Sequence, residues 1–314
     1  MVRHARVEAE ERLDGRYAAR VLEPSPPAVN DPPWFADDPV ARGEDSGDRP
    51  IVSPVGTGDL RWDDVVAERP DLAEWCAERW LAAHRRLEAA PARLVATRES
   101  LHRVGEQLLS RAREHANGKI ALRYTLGGFG TPFFGLDAQV RVEGAELVVQ
   151  EGEDERRGPL TTLRAAGDLV GAHRLPDDVV LDEEPLAIDP EAASFLGDWY
   201  GFAYSVLEEL RAGAGPALDP SRVQLWPEHF DVSVELGSEA EGRRAGYGAS
   251  PGDDDHPEPY LYVTPWTPPP GGELWNATVF TGAELPLAAL LDADEQRGAA
   301  LEFLRTRLDV LQAS

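Results

Sequence analysis

Residues 223–237, VQLWPEHFDVSVELG, and residues 247–266, YGASPGDDDHPEPYLYVTPW, decide how the rest of the chain is read. Val223 and Leu225, then Phe230, Val232, Val234 and Leu236, are apolar at every second position, which is the period of a β-strand. The parity changes at Pro227, so the pattern predicts one strand over 223–236 with a bulge or edge kink there. Past the kink, His229, Asp231, Ser233 and Glu235 take the face opposite the apolar run. The second stretch predicts a loop, carrying Asp253-Asp254-Asp255, His256 and Glu258, that leads into a strand from Tyr260 to Thr264. If the two strands are neighbours, His229, Asp231, His256 and Glu258 converge.

Composition sets the outer bounds. A chain of 314 residues is long enough for one large or two modest cores. The formal net charge of −26 argues against a nucleic-acid or anionic-membrane surface, because phosphates would be repelled. Thirty of the 31 basic residues are arginine, with Lys119 the single lysine, a bias that signals no ligand. One cysteine, Cys76, rules out an intramolecular disulfide and a cysteine-cluster metal site. It falls on the apolar side of a predicted helix, where an inert buried thiol is expected. The charged N-terminus has no apolar signal segment, and no run of 18 apolar residues occurs. A soluble, cytoplasmic protein is expected.

Working outward, residues 1–65 are rich in Pro, Asp and Gly and predict an extended arm, pinned to the body by Trp34 and Phe35. Helical spacing begins near Asp71, with Leu72, Trp75, Cys76, Trp80, Leu81 and Leu87 on one stripe. A second helix opens at Thr97, buries Leu101, Val104, Leu108 and Ala112, and stops at Asn117-Gly118. Alternation over 119–125 and a hairpin about Glu143-Gly144 predict strands, followed by an exposed loop at 151–157 and a short helix at 162–170. The glycines at 127, 128, 130 and 135 do not make a phosphate loop, since no helix and no Lys-Ser/Thr pair follows them.

The proline-punctuated stretch 174–189 reads as a hinge between a first half, 66–173, and a second, 174–314. Asp189 and Pro190 then start a long helix that lines Phe195, Leu196, Trp199, Phe202, Ala203, Val206 and Leu210 on one side and ends at Gly213. Strands follow at 223–236, 244–249, 260–266 and 274–280. A closing helix over 292–311 carries Asp292 and Glu295 at near capping-box spacing and buries Leu301, Leu304, Leu308 and Leu311. Each half gives helix, antiparallel strands, helix. The fold class is therefore α+β with mainly antiparallel sheets, and the two halves echo one another.

Gly248-Ala249-Ser250-Pro251-Gly252 matches the G-x-S-x-G nucleophile elbow in letters alone. The residue after the serine must donate its N–H to an oxyanion, and Pro251 has none, so the segment is a turn. His229-Phe230-Asp231 carries more. On a strand, H-x-D sets imidazole and carboxylate on one face, about 6.5–7 Å apart at the backbone and within reach of one metal ion. His256 and Glu258 would complete a mixed N/O shell for a divalent ion such as Zn, Mn or Fe, or the same groups would act as general acid and base. The purely structural alternative pairs Asp231 with an arginine, packs His229 beside Trp226 and leaves the acidic run as a solvated loop tip. Trp226, Tyr247, Tyr260 and Tyr262 are candidate walls of a ligand cleft, with core packing as the alternative.

TRESLH…GKIALRYT in the first half, with LWPEHFDVSVEL and GYGASPGDDDHPEPYLYVTPW in the second, resembles an uncharacterised bacterial domain family of unknown function. There a Trp, His, Phe, Asp strand precedes a Gly, Pro and acidic loop that ends in a Pro-Glu-Pro-aromatic strand. The matching residues are Trp226, His229, Phe230 and Asp231, then Pro251, Gly252, Asp253, Asp254, Pro257, Glu258, Pro259 and Tyr260. The resemblance implies that residues 95–280 form one unit, and it implies no activity. Three functions remain open: a small-molecule-binding or accessory domain, a metal-dependent hydrolase or oxygenase using the His229/Asp231 strand, and a protein-interaction module. No catalytic residue is assigned.

Overall fold

A computed structural model describes residues 86–314, except 126, 133–137, 152–153, 270 and 314, together with a short parallel pair, Val52–Ser53 with Leu60–Arg61. The expected arm contacts of Trp34 and Phe35, and the helix near Asp71 with Cys76, lie outside the described residues.

Helix α1 (Leu94–Val104) runs through one π-helical stretch, Gly105–Leu109, into α2 (Ser110–Asn117). It starts three residues earlier than Thr97 suggested and stops where expected, at Gly118, whose φ of 78° is the left-handed conformation glycine tolerates. A first sheet follows: β1 (Arg123–Thr125), β2 (Gly128–Gly130), β3 (Ala138–Glu143), β4 (Glu146–Glu151) and β5 (Asp154–Pro159), paired antiparallel in that order. Strand β5 occupies the segment expected to be an exposed loop. Its sequence DERRGP has no apolar alternation, so pairing with β4 rather than a buried face places it, and its charges protect a sheet edge. Arg157 there bonds Glu155 and Glu146, and the fully buried Arg141 bonds Glu155 at 2.7 Å.

Helix α3 (Leu163–Val170) is capped by Thr162. The proposed hinge at 174–189 is tied to the first half: Asp182 O accepts from Arg164 N–H, Leu181 is buried, and Ala187 N–H donates to Ser100 Oγ. Helix α4 (Pro190–Gly213) begins as expected, with Asp189 Oδ1 accepting from the N–H groups of Glu191 and Ala192. It buries Tyr200, Tyr204 and Leu207 besides the expected stripe, because it sits between two sheets and two further helices.

The second sheet is also an antiparallel meander: β6 (Gln224–Trp226), β7 (Asp231–Leu236), β8 (Ala245–Ser250), β9 (Tyr260–Pro265) and β10 (Ala283–Pro286). The single strand expected over 223–236 is two strands joined by a turn, Pro227–Phe230, and the parity change marks a chain reversal rather than a bulge. Phe230 closes the turn with φ of 56°, rare for a bulky residue. It is held there because its ring packs on Phe129, Tyr200 and His102, and its carbonyl accepts from Tyr200 Oη at 2.8 Å. The strand expected at 274–280 is irregular; pairing moves on to 283–286. Asp292 ends a short helix α5 (Leu287–Asp292), and the closing helix α6 (Gln296–Ala313) starts beyond it, burying the four expected leucines.

Both halves share one core. Leu122, just before β1, exchanges backbone hydrogen bonds with Leu225 in β6, at 2.7 and 2.9 Å, so the edges of the two sheets touch. Helix α4 packs on β1 and β2 of the first sheet and on β7 and β8 of the second. The contact with β2 is close: a Cβ on Gly197 would lie 2.7 Å from the Gly127 carbonyl. The fold is thus α+β with two antiparallel five-stranded sheets. Among the described residues no helix is long and apolar enough to cross a membrane.

Candidate functional site

The second sheet turns Leu225, Val232, Val234, Leu236, Tyr247 and Val263 toward the helices, all buried. The period of two then dictates what reaches its other face: Asp231, Ser233 and Glu235 from β7, Gly246, Gly248 and Ser250 from β8, Tyr260, Tyr262 and Thr264 from β9. The middle strand carries only glycine and serine there; Tyr262 lies over Gly248, and the face is left hollow over Gly246 and Ser250. A cleft of about 840 Å³ occupies it, within the usual range of small-molecule sites of ~300–1,000 Å³.

Its walls are aromatic. Trp226 and Trp266 line it while remaining 37% and 51% exposed, and Tyr260, Tyr262 and Phe280 stand together with ring centroids 6.2–6.5 Å apart. Its charge is mainly acidic: Glu228, Asp231, Glu235 and Asp253 line it beside His229, and among the described residues no arginine or lysine does. Glu235 is neutralised from the side by Arg244, 3.0 Å away, whose guanidinium also lies 5.4 Å from the Trp266 ring centroid.

Asp231 differs from the other three. It is only 7% exposed, and Tyr262 Oη donates to its Oδ2 by lying across Gly248, where a Cβ would occupy the place of the tyrosine ring. Among the described residues, Asp231 Oδ1 is buried without a hydrogen-bond partner. Burial pushes the Asp231 carboxyl above its ordinary value, against the hydrogen bond from Tyr262, the charge of His229 and its own backbone N–H, which pull it down. Burial, and then the neighbouring Asp231, raise Tyr262 well above an ordinary phenol.

The 251–259 loop is built around Asp253. Its Oδ1 accepts from the N–H groups of Asp255 and His256 at 2.9 and 2.8 Å, and its Oδ2 from Tyr260 Oη at 2.6 Å. Burial alone would raise this carboxyl; the hydrogen bonds from Tyr260 and the two backbone groups bring it below its ordinary value. Arg98 of α1, itself buried, donates to the carbonyls of Pro257 and Asp253 and fixes the loop to the body.

The residues expected at a metal site are not gathered on one point, and among the described residues no three His, Cys, Asp or Glu side chains are placed to hold an ion. His229 is on the turn, not the strand, and is exposed; it lines the cleft beside Asp231. His256 is turned away by its loop, with Nδ1 3.3 Å from Asp253 Oδ1 and Nε2 3.0 Å from Glu284 Oε2. Glu258 is exposed, between two prolines at the end of that loop. Of the four expected cleft aromatics, Trp226, Tyr260 and Tyr262 line it, whereas Tyr247 points the other way. Tyr247 pairs with Val234 and Val263 on the apolar face, fully buried, and burial raises its hydroxyl. Trp266 and Phe280 were not foreseen as walls. Trp266 shares the parity of Tyr260 and Tyr262, a signal available in the sequence; Phe280 reaches the cleft from an irregular segment and gave none.

The class this fold and site define is an α+β protein with an open, aromatic and acidic cleft on one sheet face. Comparison with protein-family models, with curated proteins and with solved structures returned no match.

Proposed function

We propose that the protein is a small-molecule-binding or accessory domain that acts without catalysis and holds its ligand in the open cleft of the second sheet. The observation that carries this reading is the hollow over Gly246 and Ser250, walled by two partly exposed tryptophans and floored by a buried carboxylate with one oxygen unpartnered among the described residues. Exposed tryptophans cost free energy unless something covers them, and a pre-formed cleft of this volume suits a ligand. Metal-dependent chemistry has no such support, since its four expected ligands lie on a turn (His229), on β7 (Asp231) and at two positions of the 251–259 loop, with His256 Nε2 turned to Glu284.

A thermal-shift screen of a chemically mixed fragment library, run on the full chain and on a W226A/W266A variant, tests the reading. A ligand at about 100 times its Kd adds roughly 2.7 kcal/mol of apparent stability, enough to move Tm measurably. Compounds should raise Tm of the natural chain and lose that effect in the variant. A library with no compound that depends on the two tryptophans would remove the proposal.

A further inference from the structure

We infer that the ligand of this cleft is an organic amine, bound as its ammonium ion, whose N–H donates to Asp231 while its apolar body lies between the aromatic walls. This rests on the small-molecule reading above and adds the ligand class.

Three independent features converge on it. The first is sign: four carboxylates line the cleft against one histidine, His229, and among the described residues no arginine or lysine lines it, so an anionic ligand meets net repulsion. The second is an acceptor awaiting a donor. Asp231 is nine-tenths buried, its Oδ2 is taken by Tyr262, and its Oδ1 has no partner among the described residues. A buried acceptor without a donor is costly, and a charge-assisted N–H···O bond from the ligand removes that cost. Water or a neutral hydroxyl would supply a donor without balancing the charge. The third is the walls. Aromatic faces attract cations, and one wall already does so, with Arg244 5.4 Å from the Trp266 ring centroid. Arg244 is itself committed to Glu235 and Asp219, at 3.0 and 3.1 Å, so of the described basic residues only the exposed His229 stands near the Asp231 end, and it does not hydrogen-bond Oδ1. Because the carboxylate needs a hydrogen donor, a primary or secondary amine fits better than a quaternary one.

Calorimetric titration of the full chain at low ionic strength would compare phenethylamine, butylamine, 2-phenylethanol as the neutral isostere, and the N,N,N-trimethyl form of phenethylamine. The expected result is saturable binding of at least one primary amine, with phenethylamine at least about ten-fold tighter than the alcohol and than the quaternary form. D231N keeps an acceptor for Tyr262 but removes the charge. It should weaken the amine at least about ten-fold and leave the alcohol within about two-fold. Equal binding of amine and alcohol, equal binding of the quaternary form, or an amine affinity untouched by D231N would each overturn the inference. If neither primary amine binds but neutral or anionic library compounds do, in a W226A/W266A-dependent way, the amine inference falls and the small-molecule reading stands. If no compound of any charge binds, both fall.

Discussion

Asp231 combines a charge with a buried position, and its side-chain neighbours decide what that costs. Tyr262 and Tyr260 face it from β9, Glu228 and His229 from the turn, and Arg98 lies behind the loop. Its carboxyl is raised in the folded protein, mainly by burial, so the folded state holds that proton more tightly than the unfolded chain does. The resulting stability is full below the unfolded pKa and is lost as pH rises through the folded one. Relative to D231N, the natural chain should therefore lose stability as pH rises from about pH 4, the unfolded range, toward pH 7. Urea denaturation of both proteins across that range checks the sign; a difference that grows with pH would contradict it. Phe230 is the second residue with a large local role. It is 1% exposed, and its ring and carbonyl lock the turn that carries Glu228 and His229. His102 stacks on that ring at 5.1 Å and donates from Nε2 to Pro227 O at 2.7 Å. Phe230→Ala should cost roughly 3–5 kcal/mol in urea denaturation, the usual range for a buried phenylalanine.

At the scale of elements, α4 decides most of the packing, and its glycines separate close approach from mere flexibility. Gly197 is buried against the backbone of Gly127 and Gly128, at 2.7–3.1 Å from where a Cβ would stand, so Gly197→Ala must push helix and sheet apart. A loss of roughly 1–3 kcal/mol is expected, as for other overpacked sites. Gly213, at the exposed last turn of the same helix, would place its Cβ in open space and has no positive φ. Gly213→Ala should instead stabilise by about 0.4–1 kcal/mol, through the unfolded chain. Opposite signs in paired melting curves would confirm that the approach to β2, rather than helix propensity, sets the cost at Gly197.

For the whole molecule, the backbone pair Leu122–Leu225 and the shared helix α4 join what the chain order presents as two halves. Core residues of both sheets belong to one continuous cluster. Scanning calorimetry should therefore show one transition for residues 86–314, with calorimetric and van't Hoff enthalpies in agreement. Two resolved transitions would mean that the halves unfold separately and that the shared core contributes little. The acidic cleft faces away from this core, so amine binding should shift that single transition upward without splitting it.

Local signals in the chain determined the elements whose causes are local. Asp189 with Pro190 caps α4, Gly118 stops α2, and alternation from Val232 to Leu236 assigns the apolar face of β7, because each depends only on neighbours a few residues away. The same alternation placed Asp231, Ser233 and Glu235 on the open face. Tertiary structure decided the rest. A parity change at Pro227 is compatible with a bulge or a reversal, and only the fit of Phe230 among Phe129, Tyr200 and His102 selects the reversal. A charged segment such as 154–159 has no pattern of its own and becomes a strand because β4 offers it an edge. Tyr262 meets Asp231 across 31 residues of chain, over a glycine on the strand between them, and His256 is captured by Glu284 instead of joining His229. Period two tells which face a side chain takes; which strand lies beside it, and how far its side chain can reach, depends on pairings that only the closed sheet creates.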